Sequence, residues 1–327
     1  MTNLQGDKIE QVSEGHNDCA VSERRSLSDI ELRAIFDCGT DCALLPELVH
    51  IFSALLPTAG EDFIVKLHND IEAIFDGKIQ GFRKSTVKYH DLRHTRSVVL
   101  ATLRLFHGLK CDGHHLSDDV IKLGTLCAYF HDTGMLLRNE DSESCGSAYL
   151  KCHEERSINF AREYIHNQGL PRAYADHCAP VINCTNLKLK PDAVAFESEE
   201  IELTGHVLGT ADILAQMGDR YYLECLPLLY MEQRDAGIKE FSSAMELIQE
   251  TATFYHETIE KRLRVHFKNR CSAMRTHFRE RWGIDRNLYL EFIEKNILYL
   301  KKIVASSEGN PAMLEHYLRR RQPQTDR

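Results

Sequence analysis

The 327 residues carry a formal net charge of −9 from 40 basic and 49 acidic side chains, a mixed balance without the basic excess of a nucleic-acid platform. The length suffices for one large domain, no apolar run is long enough to cross a bilayer, and "MTNLQGDKIEQVSEGHND" lacks the apolar core of a signal peptide. The 11 cysteines are scattered with no Cys-x-x-Cys pair, which suits reduced thiols in a cytoplasmic protein.

Residues 1–25 are polar and aperiodic and predict a loose tail. From 26 to 308 the pattern is that of a single all-α domain. "SDIELRAIFD" sets Ile30, Leu32, Ile35 and Phe36 near one face behind a Ser/Asp cap, and "LLPELVHIFSALL" and "EDFIVKLHNDIEAIFDG" repeat that periodicity. "SDDVIKLGTLCAYFHDTG" opens on a cap and predicts a helix ending at Gly134; "CHEERSINFAREYIHNQGL" predicts another, closed by Gly169. "TNLKLKPDAVAFESEE" is the one long loop. "IELTGHVLGTADILAQMG" is apolar nearly all round, as a helix buried in the middle of a bundle would be. Two long amphipathic segments follow, "FSSAMELIQETATFYHETIEKRLRVHF" and "NLYLEFIEKNILYLKKIVASS", and residues 309–327, ending in "RRRQPQTDR", predict a second tail. An oligomer built on the C-terminal helices is left open.

Four short stretches carry chemistry. "YHDLRHTRSVV" holds His90 and His94 four apart, a spacing that places both on one helix face, one turn along. His131 and Asp132 close an apolar helix; neighbours point about 100° apart, so both reach one centre only near a helix end. Asp212 lies in "HVLGTADILAQ", where a carboxylate is costly unless paired, hydrogen-bonded or bound to a cation. His153-Glu154 opens "CHEERS". A helical His pair alone is more often decoration, and a buried aspartate is often only a cap. Taken together, His94, His131, Asp132 and Asp212 form an N2O2 set that suits a divalent ion. His256, His266, His277 and His316 fall on polar faces and are expected to be solvated, and the Tyr221, Tyr222 and Tyr230 stripe to be core. His206, almost two turns before Asp212, is a candidate supporter of it.

Over roughly residues 85–260 the ordered set His…His-Asp…Asp resembles the HD-domain metal-dependent phosphohydrolases. "YHDLRHTRSV" is similar to the Tyr-His-Asn-x-x-His helix of class I cyclic-nucleotide phosphodiesterases, and "PVINCTNL" to a segment between their later motifs. The resemblance implies a helical HD/PDEase-like bundle. It implies that His94, His131, Asp132 and Asp212 hold a first ion, zinc or another transition metal. Asp132 would bridge to a second, magnesium or manganese, and His90 would be the general acid opposite a metal-bridging hydroxide. His153 is either a ligand to the second ion or a structural neighbour. Phe254 is the expected base clamp, with Gln249 or Thr251 near the place of the family's base-holding glutamine. Asp91 replaces the family's asparagine and would orient His90 or add negative charge. "HDTGML" follows the generic superfamily more than the phosphodiesterase branch.

The expected activity is hydrolysis of a 3′,5′-cyclic nucleotide or related phosphodiester. The alternatives are an HD-type nucleotidase or nucleotide pyrophosphohydrolase, and a non-catalytic regulatory module. The expected partner is a small phosphate-containing nucleotide, with neither nucleic acid nor membrane.

Overall fold

Apolar side chains recurring every three or four residues can be buried together only if each segment coils into a helix and presents that stripe inward. The computed structural model, which describes residues 28, 31, 35–36, 41–58, 60–190 and 193–318, does this throughout. Among the described residues there is no sheet, and one isolated antiparallel bridge joins Phe82 to Arg138. The architecture is an all-α multi-helix bundle. Of "SDIELRAIFD", Ser28 accepts from the Glu31 N–H through its Oγ at 3.3 Å, Glu31, Ile35 and Phe36 are helical, and the rest lies outside the described residues, as does the tail over 1–25.

The helices are α1 (Asp41–Leu55), α2 (Asp62–Phe75), α3 (Leu92–Cys111), α4 (Asp118–Phe130), α5 (His153–Asn167) and α6 (Arg172–Asn183). They continue as α7 (Glu199–Met217), α8 (Tyr222–Asp235), α9 (Ala244–Phe254), α10 (Ala273–Trp282), α11 (Leu288–Ser307) and α12 (Pro311–Tyr317). α3 is the hub, packed against α1, α4, α7 and α10. It runs nearly wholly buried from Thr95 to Leu109. Gly108 makes the crossing with α10 close, because a Cβ there would lie 1.9 Å from the carbonyl oxygen of Ala273. α7 is buried on almost every side, as its all-round apolar sequence predicts. One hydrophobic cluster extends from Ile35 to Leu314.

Three differences from the sequence pattern have local causes. The helix expected to reach Gly134 ends at Phe130; Thr133 Oγ1 donates to the Phe130 carbonyl oxygen at 2.8 Å, and residues 133–135 tighten into a 3₁₀ turn. The long segment after Ser243 is α-helical only to Phe254, then widens into π turns over 255–259 and 262–266. There the Arg262 guanidinium, 4% exposed, collects the carbonyls of Asn186, Leu187 and Leu189. Beyond residue 308 the chain continues as α12, capped by Asn310 and anchored by buried Leu314, so part of the expected tail is packed. The described residues of the expected long loop, 185–190 and 193–198, stand as anticipated up to α7. Cys111, Cys127, Cys145, Cys152, Cys178, Cys184, Cys225 and Cys271 are free thiols.

Candidate metal centre

α3 starts one residue after Asp91, whose backbone is extended and whose Oδ1 accepts from the His94 N–H at 2.9 Å. That is a side-chain N-cap, and it fixes the first turn so that His94 faces inward. The cap corrects one expectation: His90 precedes the cap and shares no helix face with His94. Their rings still lie 6.2 Å apart, because the chain bends at Asp91 instead of coiling. Asp91 thus holds the helix start, and Glu232, not Asp91, bonds His90. Burial pushes the Asp91 carboxyl above its usual range, an effect the capped N–H partly offsets.

The second pair is delivered by the turn after α4. His131 is 1% and Asp132 4% exposed. His131 Nδ1 lies 2.8 Å from the Ala128 carbonyl oxygen, an acceptor only, so Nδ1 carries the proton and the Nε2 lone pair faces the cluster. His153, the first residue of α5, repeats the device with the Leu150 carbonyl at 2.8 Å. The turn and α5 meet at Gly134, where a Cβ would fall 2.0 Å from the His153 carbonyl oxygen. The Gly134 N–H donates to Ser157 Oγ at 2.8 Å and its carbonyl accepts from Arg156 Nε at 2.9 Å. Asp212 comes from the middle of α7.

These groups converge. His94 Nε2 lies 3.4 Å from His131 Nε2, 3.4 Å from Asp132 Oδ2 and 3.1 Å from Asp212 Oδ1. His131 Nε2 is 3.1 Å from Asp132 Oδ2 and 3.7 Å from Asp212 Oδ1, and His153 Nε2 is 3.5 Å from Asp132 Oδ1. Ligand atoms about 2.0–2.2 Å from a divalent ion are separated by roughly 3.0–3.5 Å along a coordination edge. The spacing and the N/O donor set therefore fit an ion. Asp132 Oδ2 adds an independent sign: it is buried with no hydrogen-bond partner, a state costly for a carboxylate unless a cation answers it. His94, His131 and Asp132 could bind a metal ion as they stand.

The electrostatics agree. Burial disfavours charge on His94, but Asp132 and Asp212 outweigh it and hold its pKa up at about 10. Burial opposes and Asp132 again prevails at His153, raised to about 9, and the same balance raises His131. Asp132, despite burial, is held well below the usual carboxylate range by His131 and His90. A field that draws protons onto three imidazoles also draws a metal cation.

One residue of the site has no motif to betray it. Glu232, on α8 and 5% exposed, places Oε2 2.7 Å from His90 Nδ1, while Oε1 accepts from the N–H groups of Lys88 and Tyr89 at 2.8 and 2.7 Å. Burial would raise its pKa, but the bond to His90 and those N–H groups hold it low, so it is a carboxylate. The only sequence signal is a glutamate in the otherwise apolar run "LPLLYMEQ". His90, oriented this way, has Nε2 left for other contacts, and its ring sits 5.9 Å from that of His153. Behind the site a second polar chain ties helices together. Arg96 forms two 2.6 Å bonds to Glu72 of α2, Glu72 lies 3.7 Å from His68 Nε2, and His68 Nδ1 meets Tyr129 Oη at 2.9 Å.

Other expected residues fall outside the cluster. Phe254 is 41% exposed at the end of α9. Thr251 is buried and its hydroxyl donates to the Leu247 carbonyl at 2.8 Å, while Gln249 is exposed. His206 packs between the rings of Phe196 and Phe267, 5.9 and 5.4 Å away, and serves the core. His277 contradicts the expectation of a solvated face: it is fully buried, because α10 turns that side onto α3. Tyr221 and Tyr222 are core, as anticipated, and no helix of the described residues is long and apolar enough to cross a membrane. The sequence matches no protein-family model and no curated protein.

Proposed function

We propose that the chain is a metal-dependent phosphohydrolase acting on a small phosphate ester, with a 3′,5′-cyclic nucleotide or related phosphodiester as first candidate. The observation that carries this reading is the convergence of His94, His131, Asp132 and Asp212 beside a histidine held by a buried carboxylate. In it, those four residues would hold a first ion of zinc type. Asp132 and His153 would hold a second, magnesium or manganese; His153 Nε2 lies 3.5 Å from Asp132 Oδ1. Divalent ions there would supply neutralisation of phosphoryl charge and activation of a water. His90 gives a proton from Nε2 to the departing oxygen, and Glu232, 2.7 Å from Nδ1, keeps the ring aimed. Phosphate esters with poor alkoxide leaving groups gain most from such an acid, which favours a diester.

A nucleotidase or pyrophosphohydrolase is the second reading. What favours it is the environment of Thr251 and Gln249: one hydroxyl is committed to its own helix and the other side chain is exposed, so neither makes a base-holding glutamine.

The test is a panel of cyclic nucleotides, nucleoside monophosphates and triphosphates assayed with manganese, beside elemental analysis of the purified protein. His90→Ala is expected to lower turnover by about 100-fold to 10,000-fold with metal content intact. Asp132→Asn or Asp212→Asn is expected to lose metal. Phosphate release from monophosphates alone selects the second reading. Tight metal binding with no turnover of any ester sinks both and leaves a regulatory module.

A further inference from the structure

Asp132 faces two ways, Oδ2 toward His94 and His131 and Oδ1 toward His153. On the first side its neighbours are placed by α3 and the end of α4, with Asp212 joining them from α7. On the second side it meets the first residue of α5. The width of that second gap is set by how the 3₁₀ turn after Asp132 is fastened to α5.

Arg156 makes the fastening. It follows His153 by three residues, on the same face of α5, and its side chain is largely buried. Nε donates to the Gly134 carbonyl at 2.9 Å and Nη2 to the Leu136 carbonyl at 3.0 Å, so one guanidinium holds the turn at two points. The rest of its fork meets Asp141, with Nη2 2.7 Å from Oδ2 and Nη1 3.2 Å from Oδ1. The guanidinium carbon lies 3.7 Å over the Tyr149 ring, and the Tyr149 hydroxyl donates to Asp141 Oδ1 at 2.9 Å. Asp141 is itself anchored: Oδ2 accepts from the Arg138 N–H at 2.7 Å, and Arg83 binds the carbonyls of Asn139 and Glu143 at 3.2 and 3.0 Å. A second close approach backs the turn at Gly146, where a Cβ would fall 1.7 Å from the Met135 carbonyl oxygen. Only a planar fork with several fixed donors spans two carbonyls and a carboxylate; the point charge of a lysine does not.

We propose that Arg156 and Asp141 are positioning residues for the ion that Asp132 and His153 would hold. The proposal rests on the metal-dependent reading above and divides the site in two. His94, His131 and Asp212 are placed by α3, α4 and α7, so the first ion keeps three of its four donors when the clamp is loosened. The second ion loses the spacing between both of its protein donors.

The test titrates manganese calorimetrically into the chelator-stripped full chain, with a thermal melt of each variant in parallel. The parent is expected to take up two ions, and His153→Ala to lose the weaker one. Arg156→Lys keeps the charge without the fork, and Asp141→Asn keeps the shape without the charge. Each is expected to weaken the second ion by at least about tenfold and the first by less than about threefold, as residues that orient metal ligands commonly do. If one variant does not fold, the other decides. Lower melting temperatures with both affinities unchanged would make the clamp a fold-stabilising contact and overturn the proposal, as would equal weakening of both ions in a folded variant. A parent chain that takes up no manganese, or a single ion, sinks the two-ion reading itself, before any variant is compared.

Discussion

α3 carries two clusters of buried polar side chains, one in its first turn and one farther along, and they resolve burial in opposite ways. At the start, His94 meets the carboxylates of Asp132 and Asp212 and the imidazole of His131, while His153 reaches the other oxygen of Asp132. Farther along, Arg104 is fully buried, donating to Tyr289 Oη at 3.1 Å and the Ile35 carbonyl at 2.5 Å. The rings of Phe36, Phe278 and Tyr289 surround it at 5.3, 5.4 and 5.9 Å. Beside it His277 has neither ring nitrogen hydrogen-bonded. Burial first, and Arg104 next, push the His277 pKa well below its ordinary value, whereas Asp132 and Asp212 push that of His94 up. A buried histidine therefore reports its neighbours. Carboxylates set among imidazoles make a cluster that could bind a metal ion; a guanidinium in its aromatic box makes a closed structural plug.

The comparison can be broken from either end. Arg104→Ala leaves a void and removes the bonds to the Tyr289 hydroxyl and the Ile35 carbonyl, and is expected to cost on the order of 3 kcal/mol in denaturant unfolding while metal content stays constant. Concurrent loss of metal would mean that the two ends of α3 are one unit. Glu232→Gln keeps the shape around His90 but removes its charge. Turnover is expected to fall about 10-fold to 100-fold, less than for His90→Ala, with metal retained. Unchanged turnover would reduce Glu232 to a fastener of residues 88–90. The smallest effect concerns acid. The folded-state pKa of His277 is depressed, so its neutral form carries no penalty above about pH 6.5, and stability is lost as pH falls below that value. The slope for one proton is at most about 1.4 kcal/mol per pH unit. Melts of His277→Phe between pH 7.5 and 5.5 should show a flatter decline than the parent chain; parallel curves would place the acid sensitivity elsewhere.

Much of this was legible before any coordinates. Helical periodicity located α2, α5, α7 and α11, because each buries one continuous stripe or is buried all round. It singled out no helix at α6 or α8, whose apolar patterns are interrupted by Pro180 and Pro227. His131, Asp132 and Asp212 stand out in the sequence because polar residues in apolar runs are costly, whereas His94 lies in the polar string "YHDLRHTRSV" and is marked by its spacing from His90 and by the resemblance. Glu232 was not legible, since its partner lies 142 positions away and nothing local marks the pair. His277 misled for a related reason: "RTHFRER" is polar as a string, and only the close crossing at Gly108 turns its histidine inward.

Gly134 bonds to no ion and holds no charge, yet the bare hydrogen on its α-carbon sets how tightly the turn after α4 seats on the first residue of α5. One added methyl there pries Asp132 away from His153 while leaving both side chains chemically whole. The spacing of these donors is thus set from the back of the bundle, and a residue that never faces them can alter it.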